Sequence, residues 1–392
     1  MNVNAYLIVQ GLVVGSIYGL IALGVVMIYK TSEVLNFAHG NMGMFAAFIS
    51  YTLMEKYMPK MMEGLSGNLS GIGFMPGAEW GGYLGISFIV VLLIVFVFAF
   101  LLGVAIEFFT LRPITKWKVL FFITLTLTSC VLSLPGPKMV VFGYFISLFP
   151  GLKFVIAFLF NMTTFYMYLF FFLFFLIEFF TMGPAKEPTQ LGLIVVTIGI
   201  WLILDGLASG FFGTQDHALP HPMGPESFEI VTLWGIPVSQ LELIIMAITG
   251  LLIVFLFFFF RYSKVGTAMR ATSQVETAAR LMGIKTKRVF ALTWGISSVL
   301  GAIAGILAAS KFFINTNTML FPFLKAFAAA TMGGLTSLPG AIIGGWILGI
   351  TENLFGYYIS MDLKTPFAFL VIVIVLSIRP SGLLSKHYVK KV

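Results

Sequence analysis

A single cysteine, Cys130, rules out an internal disulfide and any thiolate metal site built from this chain alone. Charge is nearly as scarce. Asp, Glu, Lys and Arg make up 10% of the 392 residues against 59% hydrophobic ones, and mean hydropathy is +1.03, outside the range of soluble globular domains. No G-x-x-x-x-G-K-[ST] phosphate loop occurs, so the chain is not expected to bind or hydrolyse ATP. No group of His, Cys, Asp and Glu has metal-ligand spacing and no nucleophile–base arrangement is discernible, so neither a metal, a cofactor nor an enzymatic activity is expected. Acids are fewer than bases, giving a net charge of +8. That excess sits in loops beside apolar segments, where it reports orientation and implies no nucleic-acid partner.

What is there is a series of long apolar runs, several of them reaching the roughly 20 residues that span a bilayer as a helix. An all-α, polytopic transmembrane bundle of about 9–11 spans is expected. The expected spans are Ala5–Tyr29, Val34–Met54, Tyr83–Phe109, Leu191–Phe212, Leu241–Phe260, Val289–Ser310, Phe323–Met332, Leu338–Ile359 and Pro366–Ile378. The first has no basic residues before it and reads as a retained span, not a cleaved signal. Three parts follow: 1–118, an N-terminal transmembrane part; 119–188, an insertion; and 189–392, a C-terminal transmembrane part with a basic loop at 261–288. Arg112, Lys116 and Lys118 place the end of the third span inside, and the 213–240 loop, with Asp216, Glu226 and Glu229 but no Lys or Arg, outside. The N-terminus then lies outside. The tail, with Arg379, Lys386, Lys390 and Lys391, lies in the cytoplasm, provided that the short Phe323–Met332 segment is a crossing. The insertion is rich in phenylalanine, is broken at Pro135-Gly136-Pro137 and Pro150-Gly151, and must cross an even number of times; it reads as a peripheral, lipid-facing pair.

The loop 261–288 holds Arg261, Lys264, Arg270, Arg280, Lys285, Lys287 and Arg288 against one acid, Glu276. Glu276 followed by Ala278-Ala279-x-x-x-Gly283 reads as a short helix stopped by a glycine cap. It resembles the cytoplasmic coupling loop of ABC importer permeases, whose signature is Glu-Ala-Ala, three residues, then Gly; here Thr277 separates the acid from the alanines. A basic loop against anionic lipid headgroups is the alternative. Gly11, Gly15 and Gly19, Gly206 and Gly210, Gly301 and Gly305, and Gly345 and Gly349 mark faces where helices approach closely. Among polar residues in the spans, Asp205 either lines a pathway or hydrogen-bonds a neighbouring helix. Asn36 and His39, near the start of the second span, either present polar groups from a broken helix or make interhelical bonds. Lys325 either pairs with a carboxylate or snorkels to the interface.

Further segments carry a broader resemblance: Asn36-Phe37-Ala38-His39-Gly40, Arg112-Pro113, Ala330-Thr331-Met332-Gly333-Gly334 and the ending Arg379-Pro380-Ser381-Gly382-Leu383-Leu384. Together they resemble the branched-chain amino-acid ABC transporter permease family, specifically its LivH-type subunit, on both sides of the 119–181 region. The resemblance implies a multi-pass permease of a prokaryotic cell membrane with no chemical activity of its own. It further implies two cytoplasmic ATP-binding subunits, a second homologous permease and an external solute-binding protein. Glu276, Ala278, Ala279 and Gly283 would form the ATPase coupling loop; Asn36, His39 and Asp205 are the candidate pathway residues. Related permeases serve urea, short amides or sugars. A rival from another class is an ion-coupled secondary transporter with Asp205 as its ion site.

Overall fold

A computed structural model describes residues 3–57, 81–111, 190–219, 230–233, 236–379 and 382–384. The insertion expected at 119–188 lies outside the described residues. Eleven α-helices are present among them: α1 Val3–Ser32, α2 His39–Thr52 (continued by a π turn, Leu53–Tyr57), α3 Gly81–Leu111, α4 Gln190–Phe212, α5 Gln240–Tyr262, α6 Lys264–Gln274, α7 Glu276–Leu281, α8 Thr286–Lys311, α9 Leu320–Gly333, α10 Leu338–Tyr358 and α11 Lys364–Ile378. Six of these, α1, α3, α4, α5, α8 and α10, are long and apolar enough to cross a membrane. The chain forms two compact units, Met1–Glu107 with Asp216–Val392, and Phe108–Gln215. Of the second unit, the end of α3 and residues 190–215, including α4, are described; Gly192, Leu193, Thr197, Ile200 and Ile203 are among the buried residues of α4.

Helix starts in the larger unit follow local chemistry. Ser239 caps α5 in a reciprocal box with Glu242, and Ser337 caps α10 ahead of Pro339 in its first turn. Before α5, β-branched residues form a short antiparallel hairpin absent from the expected all-helical layout, β1 Ile230–Leu233 with β2 Ile236–Ser239, in register Val231 to Val238.

The seam between α1 and α10 shows why glycine recurs at four-residue spacing. A Cβ on Gly15 would lie 2.6 Å from Gly345 O, and one on Gly349 only 2.3 Å from Gly11 O, so backbone meets backbone along an antiparallel pair. Lipid supplies no hydrophobic drive between helices, and close packing of this kind takes its place. Trp346 Nε1 reinforces the seam by donating to Ser16 Oγ at 3.1 Å. Gly43 of α2 sits equally tightly against Gly301 and Gly305 of α8, and Gly103 of α3 against the Trp294 carbonyl. The glycines at 11, 15, 301, 305, 345 and 349 are thus packing residues.

One expected span, Val34–Met54, is not a continuous helix, and the Phe323–Met332 segment is helical but too short to cross by itself. α2 and α9 have 14 residues each, about 21 Å at 1.5 Å per residue, against a hydrocarbon core of about 30 Å. The second span was expected to be helical from Val34, but the chain is irregular from 33 to 38 and turns helical only at His39. The His39 ring packs on Gly24, eight residues before the end of α1, so the chain re-enters the bundle by about 12 Å before α2 begins. The Phe323–Met332 crossing is likewise made in two pieces. Ile314 exchanges backbone hydrogen bonds with His217, whose ring lies 4.8 Å from that of Tyr51 at the far end of α2. Five residues later the Met319 side chain has reached Gly43, near the beginning of α2. α9 then runs on to Gly333, which packs against Gly340 at the start of α10.

Two faces of the larger unit follow. On one lie the end of α1, α6, α7, the starts of α8 and α10, and Leu383 and Leu384, whose amides bond the carbonyls of Met332 and Gly333. The opposite face holds the start of α1, the hairpin, the end of α8 and the end of α10. In each case coil plus half-helix carries the chain from one of these faces to the other.

Candidate functional site

The basic segment folds as two short helices. Ser263 ends α5 and caps α6, its Oγ accepting from the Gly266 amide at 2.8 Å. Glu276 opens α7 and pairs with Arg280 one turn on at 2.5 Å; Arg280 Nε also donates to Thr286 Oγ1 at 3.0 Å, tying α7 to α8. The stop is a Schellman motif: Ile284 N–H bonds Ala279 O and Gly283 N–H bonds Arg280 O, both at 3.0 Å, with Gly283 at φ +83°. Left-handed backbone here favours glycine. Ala279 is buried and Ala278 exposed. Leu281 and Met282 are 89% and 83% exposed, two large apolar side chains held out from an otherwise charged loop. Sequence reasoning passed over them; an apolar pair immediately before a glycine cap was the available signal.

The second feature lies where the half-helices begin. α2 and α9 meet at their N-terminal turns: the Phe37 ring lies 6.3 Å from that of Phe323, and a Cβ on Gly40 would touch Phe323 Cβ at 2.8 Å. From this contact α2 runs to one face and α9 to the other. Neither N-terminus is capped by a side chain. One turn into α9, Lys325 is 8% exposed and its Nζ bonds Glu352 Oε1 of α10 at 2.5 Å; the Tyr18 ring of α1 lies 5.8 Å from the same nitrogen. Lys325 therefore pairs inside the bundle and does not snorkel to the interface.

The pathway candidates are placed as follows. Asn36 is buried, with Oδ1 accepting from the Ala38 amide at 3.0 Å and Nδ2 facing Met42 Sδ at 3.6 Å. His39 is fully buried between Gly24 and Gly301; its Nδ1 is 3.5 Å from Ser297 Oγ, and Nε2 has no partner among the described residues. His39 holds the re-entrant turn against α1 and α8, and Asn36 braces the turn onto the start of α2. Asp205 is half-buried on α4, in the other unit. No group of three or more His, Cys, Asp or Glu side chains suited to a metal occurs among the described residues.

Long apolar helices, with paired half-helices meeting inside the bundle, define a helical membrane protein of transporter type. Residues 7–376 match the family described as the branched-chain amino acid transport system permease component, and the chain belongs to that family. It is 35% identical over 211 residues to the high-affinity branched-chain amino acid transport system permease protein LivH of Escherichia coli K12, covering 53% of this chain and 68% of that one. Identity to the high-affinity branched-chain amino acid transport system permease protein BraD of Pseudomonas aeruginosa is 29% over 211 residues, 53% and 69% of the two chains. The xylose/arabinose import permease protein XylH of Sulfolobus acidocaldarius is 29% identical over 185 residues, 45% and 49%. No solved structure matches.

Proposed function

We propose that this chain is a membrane-spanning subunit of an ATP-driven importer in a prokaryotic cell membrane and lines the path of a branched-chain amino acid. Two ATP-binding subunits dock on the basic face, a second homologous permease completes the pathway, and a solute-binding protein delivers cargo to the opposite face. By the positive-inside rule the basic face and the tail are cytoplasmic and the N-terminus external.

The observation that carries this reading is α7. A short helix with small residues, fixed by a glycine stop and tied to α8 through Arg280, presents Leu281 and Met282 outward, as a knob entering a partner's groove must. Glu276, Ala278, Ala279 and Gly283 are its coupling residues. Cargo meets the bundle at the junction of α2 and α9, where the positive ends of two helix dipoles, neither capped by a side chain, favour a substrate carboxylate. Branched-chain amino acids rank first because the relatives LivH and BraD carry that description; the xylose/arabinose description of XylH makes a sugar the second reading.

The test is the assembled complex in liposomes. Gly283→Pro and Glu276→Lys leave the chain inserted and abolish substrate-stimulated ATP hydrolysis. Unchanged stimulation removes α7 from coupling. Transport by the isolated chain, lost in Asp205→Asn, would instead establish an ion-coupled carrier.

A further inference from the structure

Beside the coupling segment, but separate from α7, the structure holds a cleft of about 60 Å³ between the ends of α1 and α5, the middle of α6 and the starts of α8 and α10. Lys30 and Arg270 line it, with Thr31 and Ser273 beside them and Phe260 and Met269 as an apolar floor. No carboxylate lines this cleft; Glu33, the next acid along the chain, is exposed and lies outside it. Neither cation forms an ion pair among the described residues. Arg270 Nη2 reaches only the Arg261 carbonyl, at 3.4 Å, and Thr267 Oγ1, at 3.3 Å, leaving Nη1 and Nε unbonded. The hydroxyl protons of Thr31 and Ser273 go to backbone carbonyls, so the cations are the donors on offer.

We infer that this cleft binds the phosphodiester headgroup of an anionic phospholipid. Two like charges facing one half-buried cleft without a protein acid are matched by a ligand anion, and a phosphate takes both a guanidinium and an ammonium. The surroundings favour a lipid over a soluble phosphate. Lys30 lies in the last turn of α1, and Arg261 and Tyr262 end α5 with the guanidinium 5.9 Å from the Phe257 ring, a basic and aromatic belt at the level of a membrane interface. α5, which gives Phe260 to the floor, also carries an outer face on which Leu251, Val254, Phe257 and Phe258 are each more than half exposed, an apolar surface beside the cleft on which an acyl chain can lie. Basic pockets between transmembrane helices take anionic headgroups in this manner.

The experiment uses the full-length chain without partners, so its outcome does not depend on the importer reading. Purified in detergent, it is mixed with phosphatidylglycerol or phosphatidylcholine, and bound lipid is counted by native mass spectrometry alongside thermal unfolding. Phosphatidylglycerol is retained and raises the melting temperature, while phosphatidylcholine does neither. Lys30→Gln with Arg270→Gln weakens the anionic lipid about thirtyfold, the combined effect of two surface cations. Lys285→Gln with Lys287→Gln, equal in charge but outside the cleft, leaves retention unchanged. Equal retention of both lipids, or equal weakening by the two double variants, overturns the site. Protection by inorganic phosphate as strong as that by phosphatidylglycerol overturns the lipid assignment. Should the cleft variant fail to fold, the contrast between the two lipids on the original chain decides.

Discussion

Breaking the ion pair of Lys325 and Glu352 should cost far more than deleting it whole. The side chains are 9% and 1% exposed and 2.5 Å apart, buried among α1, α9 and α10. Removing one partner strands the other charge, which costs about 3–5 kcal/mol in a protein interior and about 2.5–3.5 kcal/mol for a charge at a helix centre in a bilayer. Lys325→Met and Glu352→Leu should therefore each destabilise by about 3–5 kcal/mol. The double variant leaves no stranded charge, and replacing a buried pair by apolar groups of similar volume is neutral or stabilising by about 1–4 kcal/mol. Tyr18→Leu, which removes the ring 5.8 Å from Lys325 Nζ, adds a smaller loss of about 0.5–2 kcal/mol. Unfolding of the purified chain in mixed micelles, as a full double-mutant cycle, reads the coupling directly. Single losses that simply add in the double variant would show that the charges do not depend on one another and refute the reasoning. A double variant restored in stability yet inactive in transport would assign the pair to the passage of cargo.

Other consequences can be measured on the same preparations. Gly349→Ala places a methyl 2.3 Å from Gly11 O and should lower stability by about 1–3 kcal/mol, whereas Gly250→Ala on α5, with nothing within 4 Å, should be neutral or stabilise by up to about 1 kcal/mol in the same thermal scan. Gly283→Ala, forced to φ +83°, should destabilise by about 1–2 kcal/mol and weaken ATPase stimulation less than Gly283→Pro, which also loses the amide bond to Arg280 O. Leu281→Ser with Met282→Ser should leave the melting temperature unchanged and reduce co-purification of ATP-binding subunits, because both side chains are turned away from their own chain. Lys311→Met should strand Glu242, which holds Lys311 Nζ at 2.8 Å and Gln10 Nε2 at 2.8 Å, and loosen the joint of α1, α5 and α8; faster hydrogen exchange there is the readout.

Apolar run length gave the long helices to within a few residues, because a membrane helix has no alternative backbone partner to compete with its own ladder. Val289–Ser310 became Thr286–Lys311, and Leu241–Phe260 became Gln240–Tyr262. Periodic glycine located the seams for the same reason. At Asn36 and His39 a broken helix was only one of two open readings, because hydrophobicity reports burial in apolar surroundings and says nothing of whether a segment is helical: Val34, Asn36 and Ala38 are as buried as a span would be. The hairpin at 230–239 is only four residues per strand and lies in a loop read through its charge. At the candidate site, Glu276 and Gly283 were legible because a cap has a local signature. The union of Lys325 with Glu352, 27 residues away, depends on α9 and α10 packing together, and a sequence shows both residues without choosing between pairing and snorkelling.

α8 connects the two features of the site. Its first residue, Thr286, accepts a hydrogen bond from Arg280 of α7, and its third turn onward carries Ser297, Gly301 and Gly305. Ser297 bonds the Gly24 carbonyl of α1 at 2.8 Å, Gly301 meets the His39 ring, and a Cβ on Gly305 would lie 2.3 Å from Gly43 O of α2. Contacts of backbone with backbone have no flexible side chain to absorb a shift. A displacement of α8 by a fraction of an ångström along this face must therefore move the first turn of α2 or open a gap that forfeits its packing. α2 begins at the junction with α9, so under the proposed coupling a push on α7 at the basic face would be delivered where the two half-helices meet. Gly305→Ala, which wedges α8 from α2, should then separate ATPase stimulation from transport in reconstituted complexes. Stimulation and transport falling in equal proportion would place the link elsewhere.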